Sequence, residues 1–407
     1  MTFRDVLAIV PVRRLWTAQI VSVLGDFLAV FAVISVATFR MHANAAQISL
    51  ILVSFMLPLA IISPLAGVLV DRWDRKRVMI LSDIIRAFIV AGLVWATELW
   101  HIYAIFIALS SVSSFFMPAQ SVVVRTLVPA AGLMAANALM SQAFQVTQII
   151  SPALAGWIVD HGGAAVCFWL DVVSFLFSAF MVSLIPPLQK PAAPKTVGGF
   201  LGELTSGLRY LFTHASLQFV MVSMTIGMFA IRCFGALLAV YVRDILHGSA
   251  SSFGSLSTMI GIGMIAATQT VHRFGKSRSR KDLVVAGLLG CGFAILLMAA
   301  LQSIVSTAAG LFFLGFGAAF IFIPAQTLLQ EHTPVEMLGR VSSSLMSSLA
   351  FTQVIALLGA GAVAELIGIQ RLYYGVAALL VVHSVLGWSR LRNEAPPVTL
   401  PSQSPSA

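Results

Sequence analysis

Long apolar runs, each followed by a short polar segment, repeat along almost the whole chain. A helix needs roughly 20 apolar residues to cross the hydrocarbon core of a bilayer, and each run approaches that length. The runs begin near Leu15, Ala46, Arg77, His101, Ala135, Ala164, Ser216, Ser251, Leu283, Val305, Val341 and Arg371. The pattern therefore predicts an all-α membrane protein with twelve transmembrane helices.

Composition points to the same class of protein. Hydrophobic residues make up 59% of the chain and charged residues only 10%, whereas soluble domains carry about 25% charged residues. The net charge of +9 is compatible with nucleic-acid binding, but positive charge also gathers in the cytoplasmic loops of membrane proteins. We therefore expect a multi-pass protein of the inner (plasma) membrane that does not bind nucleic acid.

Lysine and arginine are distributed unevenly between alternate loops. Nineteen of the 24 basic residues lie in the two tails and in every second loop, whereas the opposite loops hold only Arg40, Arg243 and Arg371. Short loops rich in lysine and arginine remain in the cytoplasm. Because the number of predicted helices is even, both termini are expected to be cytoplasmic.

A polar segment in the middle of the chain divides the predicted helices into two sets of six. Its second part, from Phe200 onward, alternates apolar and polar residues at helical spacing, which predicts an amphipathic helix on the membrane surface. The tail is rich in proline and serine, a composition typical of disorder. The predicted parts are an N-terminal half at 1–187, a cytoplasmic linker at 188–215, a C-terminal half at 216–392 and a disordered tail at 393–407.

An internal repeat supports the division into two halves. The segment FFMPAQS at 115–121 recurs as IFIPAQT at 321–327, an offset of 206 residues. Six predicted helices separate the two copies, so both run in the same direction through the membrane. Parallel repeats of this kind are related by an axis along the membrane normal in several transporter folds.

The loop between the second and third predicted helices carries a dense charge motif. Positions 67–77 read GVLVDRWDRKR, and the motif residues are Gly67, Asp71, Arg72, Arg75, Lys76 and Arg77. This sequence resembles the corresponding loop of the major facilitator superfamily. The resemblance implies a twelve-helix transporter in which the glycine permits close helix approach and Asp71 acts as a gating residue beside a helix N-terminus.

Other segments resemble the branch of that superfamily that includes enterobactin exporters and macrolide efflux pumps. They include the Phe-x-Pro-Ala turn, LVP at 127–129 and GRV at 339–341. In the fifth predicted helix, Ser151, Pro152 and Gly156 are similar to the Gly-Pro-x-x-x-Gly motif of exporters, with serine in place of the first glycine. The fourth predicted helix lacks the arginine that many drug/proton antiporters of the family carry.

Charged residues inside the predicted helices are the natural candidates for binding substrate or a coupling ion, because each costs about 2.5–3.5 kcal/mol at a helix centre. Asp26 lies near the middle of the first helix, with Gln19 and Ser22 on the same face. Arg232 lies 206 residues later, in the seventh helix. We expect Asp26 and Arg232 either to pair across a central cavity or to face its water separately.

Two further positions complete the set of candidates. Asp171 in the sixth predicted helix is compatible with a structural hydrogen bond or with a proton site. Gln145 in the fifth could line a cavity or bond to a neighbouring helix. Asp83 and Arg86 in the third helix are spaced i,i+3, so we expect them to form a local ion pair that holds this helix.

The resemblance implies a secondary active transporter that works by alternating access. Its expected cargo is an amphipathic or hydrophobic small molecule of the drug or siderophore type, exported by an antiporter with protons as the candidate coupling ion. Alternative functions are a lipid or lysophospholipid transporter, a ferroportin-like metal exporter sharing the Gly25-Asp26 pair, or a non-transporting receptor or scaffold.

Catalytic and metal sites have no support in the sequence. The histidines lack metal-ligand spacing on any one helix, the phosphate-loop pattern near Lys276 is incomplete, and the cysteines lie within apolar runs. We therefore expect neither an enzyme nor a resident metal or cofactor. The expected partners are a small-molecule substrate, the lipid bilayer and protons, and the protein is expected to be a monomer.

Overall fold

The computed structural model describes residues 1–70, 72–187, 200–274 and 279–393. Within this part, the regular structure consists of helices alone. The gating residue Asp71, the first part of the linker at 188–199 and all of the predicted tail beyond position 393 lie outside the described residues.

Fourteen α-helices follow one another in the described residues. Two are short: α1, Phe3–Ala8, and α8, Phe200–Thr213. The long helices are α2 Val10–Ser35, α3 Ala45–Val70, α4 Arg75–Ala91, α5 Leu99–Leu127, α6 Leu133–Gly162, α7 Ala164–Ser183, α9 Ala215–Asp244, α10 Ala250–Phe274, α11 Arg280–Leu301, α12 Ile304–Glu331, α13 Val335–Ile367 and α14 Ile369–Asn393. Every predicted run begins inside one of these helices.

Eleven helices of the described chain are long and apolar enough to cross a membrane. The remaining long helix, α6, has 30 residues but includes three glutamines among its apolar positions. It packs against α2 and α10 and so belongs to the same bundle as the other long helices. The all-α membrane architecture predicted from the sequence is confirmed, and the twelve long helices are consistent with the predicted number.

The long helices form two halves of six. In the first half, α2 packs on α6 and α7, α3 on α5, and α4 on α5 and α7. In the second half, α9 packs on α12, α13 and α14, while α11 packs on α12 and α14, and α10 packs on α12. The short helix α8 lies against α13 of the second half.

The two halves meet along two helix pairs, α6 with α10 and α3 with α13. The internal repeat relates α6 to α13 and α3 to α10, so the two contacts are equivalent. At the first, a Cβ atom placed on Gly156 would lie 2.6 Å from the carbonyl oxygen of Ala250. Only a residue without a side chain allows this approach, which explains the last position of the exporter-like motif.

Candidate functional site

Four charged side chains meet inside the first half. Asp26 lies on α2, Asp83 and Arg86 lie on α4, and Asp171 lies on α7. The Arg86 guanidinium forms an ion pair with Asp83 and lies 4.0 Å from the carboxylate of Asp26. The i,i+3 pair expected from the sequence is therefore present, but Arg86 also reaches a third helix.

The cluster is almost completely removed from solvent. Asp83 and Asp171 are fully buried and Arg86 is 4% exposed, whereas the side chain of Asp26 keeps 28% of its accessible surface. Asp26 is thus the most exposed member of the cluster.

Aromatic rings and hydroxyl groups surround the charges. The Arg86 guanidinium lies over the ring of Phe116 at 4.5 Å and over that of Phe175 at 4.3 Å, positions that favour a cation. The hydroxyl group of Ser178 donates a hydrogen bond of 2.7 Å to Asp83. The two rings hold Arg86 in place, and the hydrogen bond from Ser178 holds its partner Asp83.

Gly25 brings the third carboxylate into the cluster. A Cβ atom at this position would lie 2.5 Å from a carboxylate oxygen of Asp171 and 2.8 Å from Cβ of Ser174. The missing side chain lets α7 approach α2 closely, which places Asp171 beside the backbone that carries Asp26. The sequence shows this glycine beside Asp26 but gives no sign of its contact with α7.

The remaining polar candidates are Gln19 and Ser22 on α2, the helix of Asp26, and Gln145 on α6. Gln19 is partly buried and accepts a hydrogen bond from the amide of Gln120 on α5. Ser22 is buried on α2. Gln145 is exposed on α6, as are Gln142 and Gln148, the residues three positions before and after it. Gln120 belongs to the repeated segment at 115–121, but the hydrogen bond between Gln120 and Gln19 was not predicted.

Arg232 has a partner within its own half. The side-chain amide of Gln353 is oriented so that its oxygen and nitrogen both suit their neighbours. In this orientation the amide oxygen of Gln353 accepts hydrogen bonds of 3.2 Å from both Nε and Nη2 of Arg232. The same amide lies 3.5 Å from the sulfur of Met56 on α3. Arg232 therefore lies close to the interface between the halves.

The structure does not bring Asp26 and Arg232 together as an ion pair. Asp26 has Arg86 as its charged neighbour, and Arg232 has Gln353. Positions related by a repeat meet only where both side chains point at the axis between the halves. The equivalence of the two positions is therefore compatible with separate surroundings, and whether either charge faces the water of a cavity stays a prediction.

The charge-rich loop fastens the start of α4. Asp74 accepts a hydrogen bond of 3.2 Å from the amide of Arg77 and so caps the helix, and the two side chains lie 3.5 Å apart. Lys76 donates a hydrogen bond of 2.6 Å to the carbonyl oxygen of Ile185, just beyond α7. These contacts link α4 to α7 at one face of the protein.

Other parts of the motif are less constrained. No described atom lies within 4 Å of a Cβ placed on Gly67, and the close approach that the resemblance implies stays a prediction. Arg72 is exposed and Arg75 is half-buried. Asp71 lies outside the described residues, and its gating role stays a prediction.

The exporter-like motif lies on the side of α6 that meets α10. Ser151 is fully buried and donates a hydrogen bond of 2.6 Å to the carbonyl oxygen of Thr147. After Pro152, the amide of Ala153 donates a hydrogen bond of 3.2 Å to the hydroxyl oxygen of Thr258 on α10. The motif therefore contributes to the contact between the halves.

Arg243 joins the halves at the face where α2 and α9 end, which we call the distal face. Its guanidinium donates hydrogen bonds to the carbonyl oxygens of Thr38, at 2.7 Å, and Ala43, at 2.8 Å. Both acceptors belong to the first half, between α2 and α3. In the sequence, Arg243 is recognisable only as a loop charge, and its contact with the first half was not predicted.

Asp160 makes a second connection on the distal face. Its carboxylate lies at the end of α6 and accepts hydrogen bonds of 2.8 Å from the hydroxyl of Ser249 and 2.9 Å from the amide of Ser251. The first half thereby caps helix α10 of the second half. No local sequence signal marks this role, because the partners are about 90 residues apart.

A cavity away from the charged cluster has an apolar lining. A cavity of about 440 Å³ between α11 and α12 contains none of the predicted site residues. Its lining consists of apolar residues and glycines, namely Ala286, Gly287, Gly290, Phe293, Ala294, Leu297, Phe313, Phe316, Gly317 and Phe320. Within the described chain, no group of His, Cys, Asp and Glu side chains has an arrangement suited to a metal ion.

Comparison with known proteins agrees with this architecture. The chain is 29% identical over 378 residues to the uncharacterized MFS-type transporter YfiS of Bacillus subtilis (strain 168), covering 90% of each protein. It is 23% identical over 385 residues to macrolide efflux protein A of Streptococcus pyogenes, covering 91% of this chain and 94% of the relative.

A solved structure shares the fold at much lower sequence identity. A POT family transporter in complex with 5-aminolevulinic acid superposes with a TM-score of 0.75 at 12% identity, covering 94% of this chain and 96% of that chain. A family profile described as transmembrane secretion effector matches residues 6–402. The chain therefore belongs to the transmembrane secretion effector family of major facilitator transporters.

Proposed function

We propose that the protein is a secondary active exporter of amphipathic or hydrophobic small molecules, working by alternating access. The observation that carries this proposal is the joining of the two halves at the distal face. Arg243 and Asp160 form hydrogen bonds from one half to the other there. An alternating-access cycle requires a state in which one face is closed by contacts that another state must break.

The charge distribution gives the direction. In the sequence, 19 of the 24 basic residues fall in the tails and in the loops that alternate with those of the distal face, and the positive-inside rule assigns such tails and loops to the cytoplasm. The distal face is then the outer face. A conformation closed at that face is the one that accepts an exporter's cargo from inside the cell.

The polar groups between the halves suit an amphipathic cargo. Gln145 and its two neighbouring glutamines are exposed on α6, and polar residues in a membrane helix favour a water-filled passage over lipid. Asp26 offers a partly exposed carboxylate, while Arg232 lies near the interface on the other side. Macrolide efflux protein A, a relative over most of its length, supports a large amphipathic molecule as cargo.

A proton gradient is the driving force that we propose. The carboxylates of Asp26 and Asp83 share the guanidinium of Arg86, and the buried carboxyl of Asp171 lies in the same cluster. Such a group of buried acids changes its charge when it gains or loses a proton, and proton relays in membrane transporters use acids of this kind. Exchange of protons for cargo then needs no further cofactor.

The test is export of erythromycin, a macrolide, by an efflux-deficient bacterial host with and without the gene. Cells are first de-energised so that they take up radiolabelled erythromycin, and are then re-energised. We expect cells that carry the gene to retain less erythromycin than cells that lack it. A protonophore should abolish the difference. Equal retention in both strains, over a panel that also contains a siderophore and a cationic dye, would contradict export of these classes.

A further inference from the structure

The buried cluster of the first half contains more negative than positive groups. Arg86 forms an ion pair with Asp83 and lies 4.0 Å from Asp26, so two carboxylates share its charge. Asp171 receives a hydrogen bond of 3.0 Å from the hydroxyl of Ser174 on one oxygen. Its other oxygen, Oδ2, is buried without a hydrogen-bond partner among the described residues.

An ionised carboxylate in that position is unfavourable. Burial removes the water that would stabilise the charge, and a buried acid without adequate partners binds a proton instead of remaining charged. The charged groups that act on Asp171 are Asp26 from α2 and Asp83 and Arg86 from α4, with the Cys167 thiol on its own helix. Two of the three charges repel a negative charge on Asp171.

We propose that Asp171 holds the proton of the transport cycle, a step that rests on the proton-driven export proposed above. While Asp171 is protonated, Arg86 remains with Asp83 and Asp26. When the proton leaves to water, the new carboxylate attracts Arg86 away from Asp26. The carboxylate of Asp26, which is 28% exposed, is then available to a cationic or hydrogen-donating group of the cargo.

This arrangement couples the two ligands without contact between them. The proton binds to a residue on α7 that is fully buried, and the cargo meets Asp26 on α2. Arg86 transmits the change because it can pair with either carboxylate. Protonation of Asp171 and binding of cargo at Asp26 therefore exclude each other through the position of one guanidinium, which is the requirement for exchange in opposite directions.

Infrared spectroscopy of the purified protein in lipid tests the protonation directly. We expect a protonated-carboxyl band at neutral pH that is absent from Asp171→Asn and retained in Asp26→Asn. Ser174→Ala should shift the band, because it removes the hydrogen bond to Asp171, whereas the matched Ser178→Ala, which alters Asp83, should leave it in place. A band lost in Asp26→Asn, or unmoved by both Asp171→Asn and Ser174→Ala, would overturn the assignment.

Transport in inside-out vesicles tests the coupling. We expect Asp171→Asn to lose gradient-driven uptake of erythromycin by about tenfold or more, within the range of typical coupling between sites, while erythromycin exchange at equal pH continues. Asp171→Glu should recover part of the uptake. Retention of gradient-driven uptake by Asp171→Asn would overturn this inference, whereas a wild-type protein indifferent to the gradient would contradict the proposed proton drive and leave the infrared result to decide the site of the proton.

Discussion

Asp160 of the first half accepts a hydrogen bond from the backbone amide of Ser251, the second residue of helix α10 in the second half. A carboxylate in this position satisfies an unpaired amide and interacts favourably with the positive end of the helix dipole. The bond can persist only while the halves are close at the distal face. It therefore contributes to the stability of one conformation and not to that of another in which this face is open.

We expect Asp160→Asn to shift the protein toward the state that is open at the distal face. Asparagine keeps an acceptor oxygen but loses the negative charge, whose interaction with the helix dipole contributes about 0.3–1 kcal/mol, which corresponds to roughly a two- to fivefold change in the equilibrium. The measurement is the rate at which a cysteine at position 35, buried near this face, reacts with an impermeant maleimide. Glu98→Gln is the matched control, because Glu98 precedes α5 on the same face within one half.

If the labelling rate rises equally in Asp160→Asn and Glu98→Gln, then acidic residues at the distal face affect the overall stability of the protein and not the closure of this face. An unchanged rate in Asp160→Asn would show that the negative charge of Asp160 does not help to hold this face closed.

A second prediction concerns orientation in the membrane. The distribution of basic residues predicts that a cysteine at position 195 reacts only from inside the cell, and one at position 244 only from outside. The native cysteines Cys167, Cys233 and Cys291 are all free and buried, so they should give little background with an impermeant reagent. The reverse pattern of labelling would contradict the orientation and the export direction derived from it.

A third prediction separates Asp26 from Arg232. Because their partners are Arg86 and Gln353 in different halves, the effects of Asp26→Asn and Arg232→Gln on the free energy of unfolding should add to within about 0.3–0.5 kcal/mol. Asp26→Asn and Arg86→Gln should instead show a coupling energy of about 0.5–3 kcal/mol. Double-mutant cycles on the detergent-purified protein measure both values.

A large coupling energy between Asp26 and Arg232 would support the direct pair that the repeat suggested. It would mean that the two residues meet in a conformation other than the one described above.

A fourth prediction tests the crossing of α6 and α10. Gly156→Ala places a methyl group 2.6 Å from the carbonyl oxygen of Ala250, so the helices must separate, at a cost of about 1–3 kcal/mol. Gly359→Ala is the matched control on α13, where no described atom lies within 4 Å of the added Cβ. There the better helix propensity of alanine should stabilise by about 0.5–1 kcal/mol.

Thermal unfolding of the two variants gives the comparison. Equal melting temperatures would show that the close approach at Gly156 does not constrain the contact between the halves.

The helices of this fold could be read from the sequence because each must bury a fixed length of apolar chain. Even α6 was found in this way, although its glutamines lower its hydropathy. The ion pair of Asp83 with Arg86 was also visible, since residues three apart on a helix share a face. These signals are local, so they can be recognised without knowing how the helices pack.

The rest of the site depends on packing between helices that are distant in sequence. Arg86 reaches Asp26 because α4, α5 and α7 surround it, and Asp171 joins them because Gly25 leaves room on α2. The bond of Gln120 to Gln19 crosses about 100 residues of chain. These contacts between helices cannot be derived from residue spacing or composition. The sequence therefore identifies the residues of the site but not their partners.

The equivalence of the α6–α10 and α3–α13 contacts has a mechanical consequence. A line through both contacts forms an axis about which one half can rotate against the other while both interfaces stay packed. A rotation that separates Asp160 from Ser251 at the distal face then brings the opposite ends of the same helices together. In the alternating-access cycle that we propose, the two faces are then never open together, and a solute crosses the membrane without a continuous pore forming.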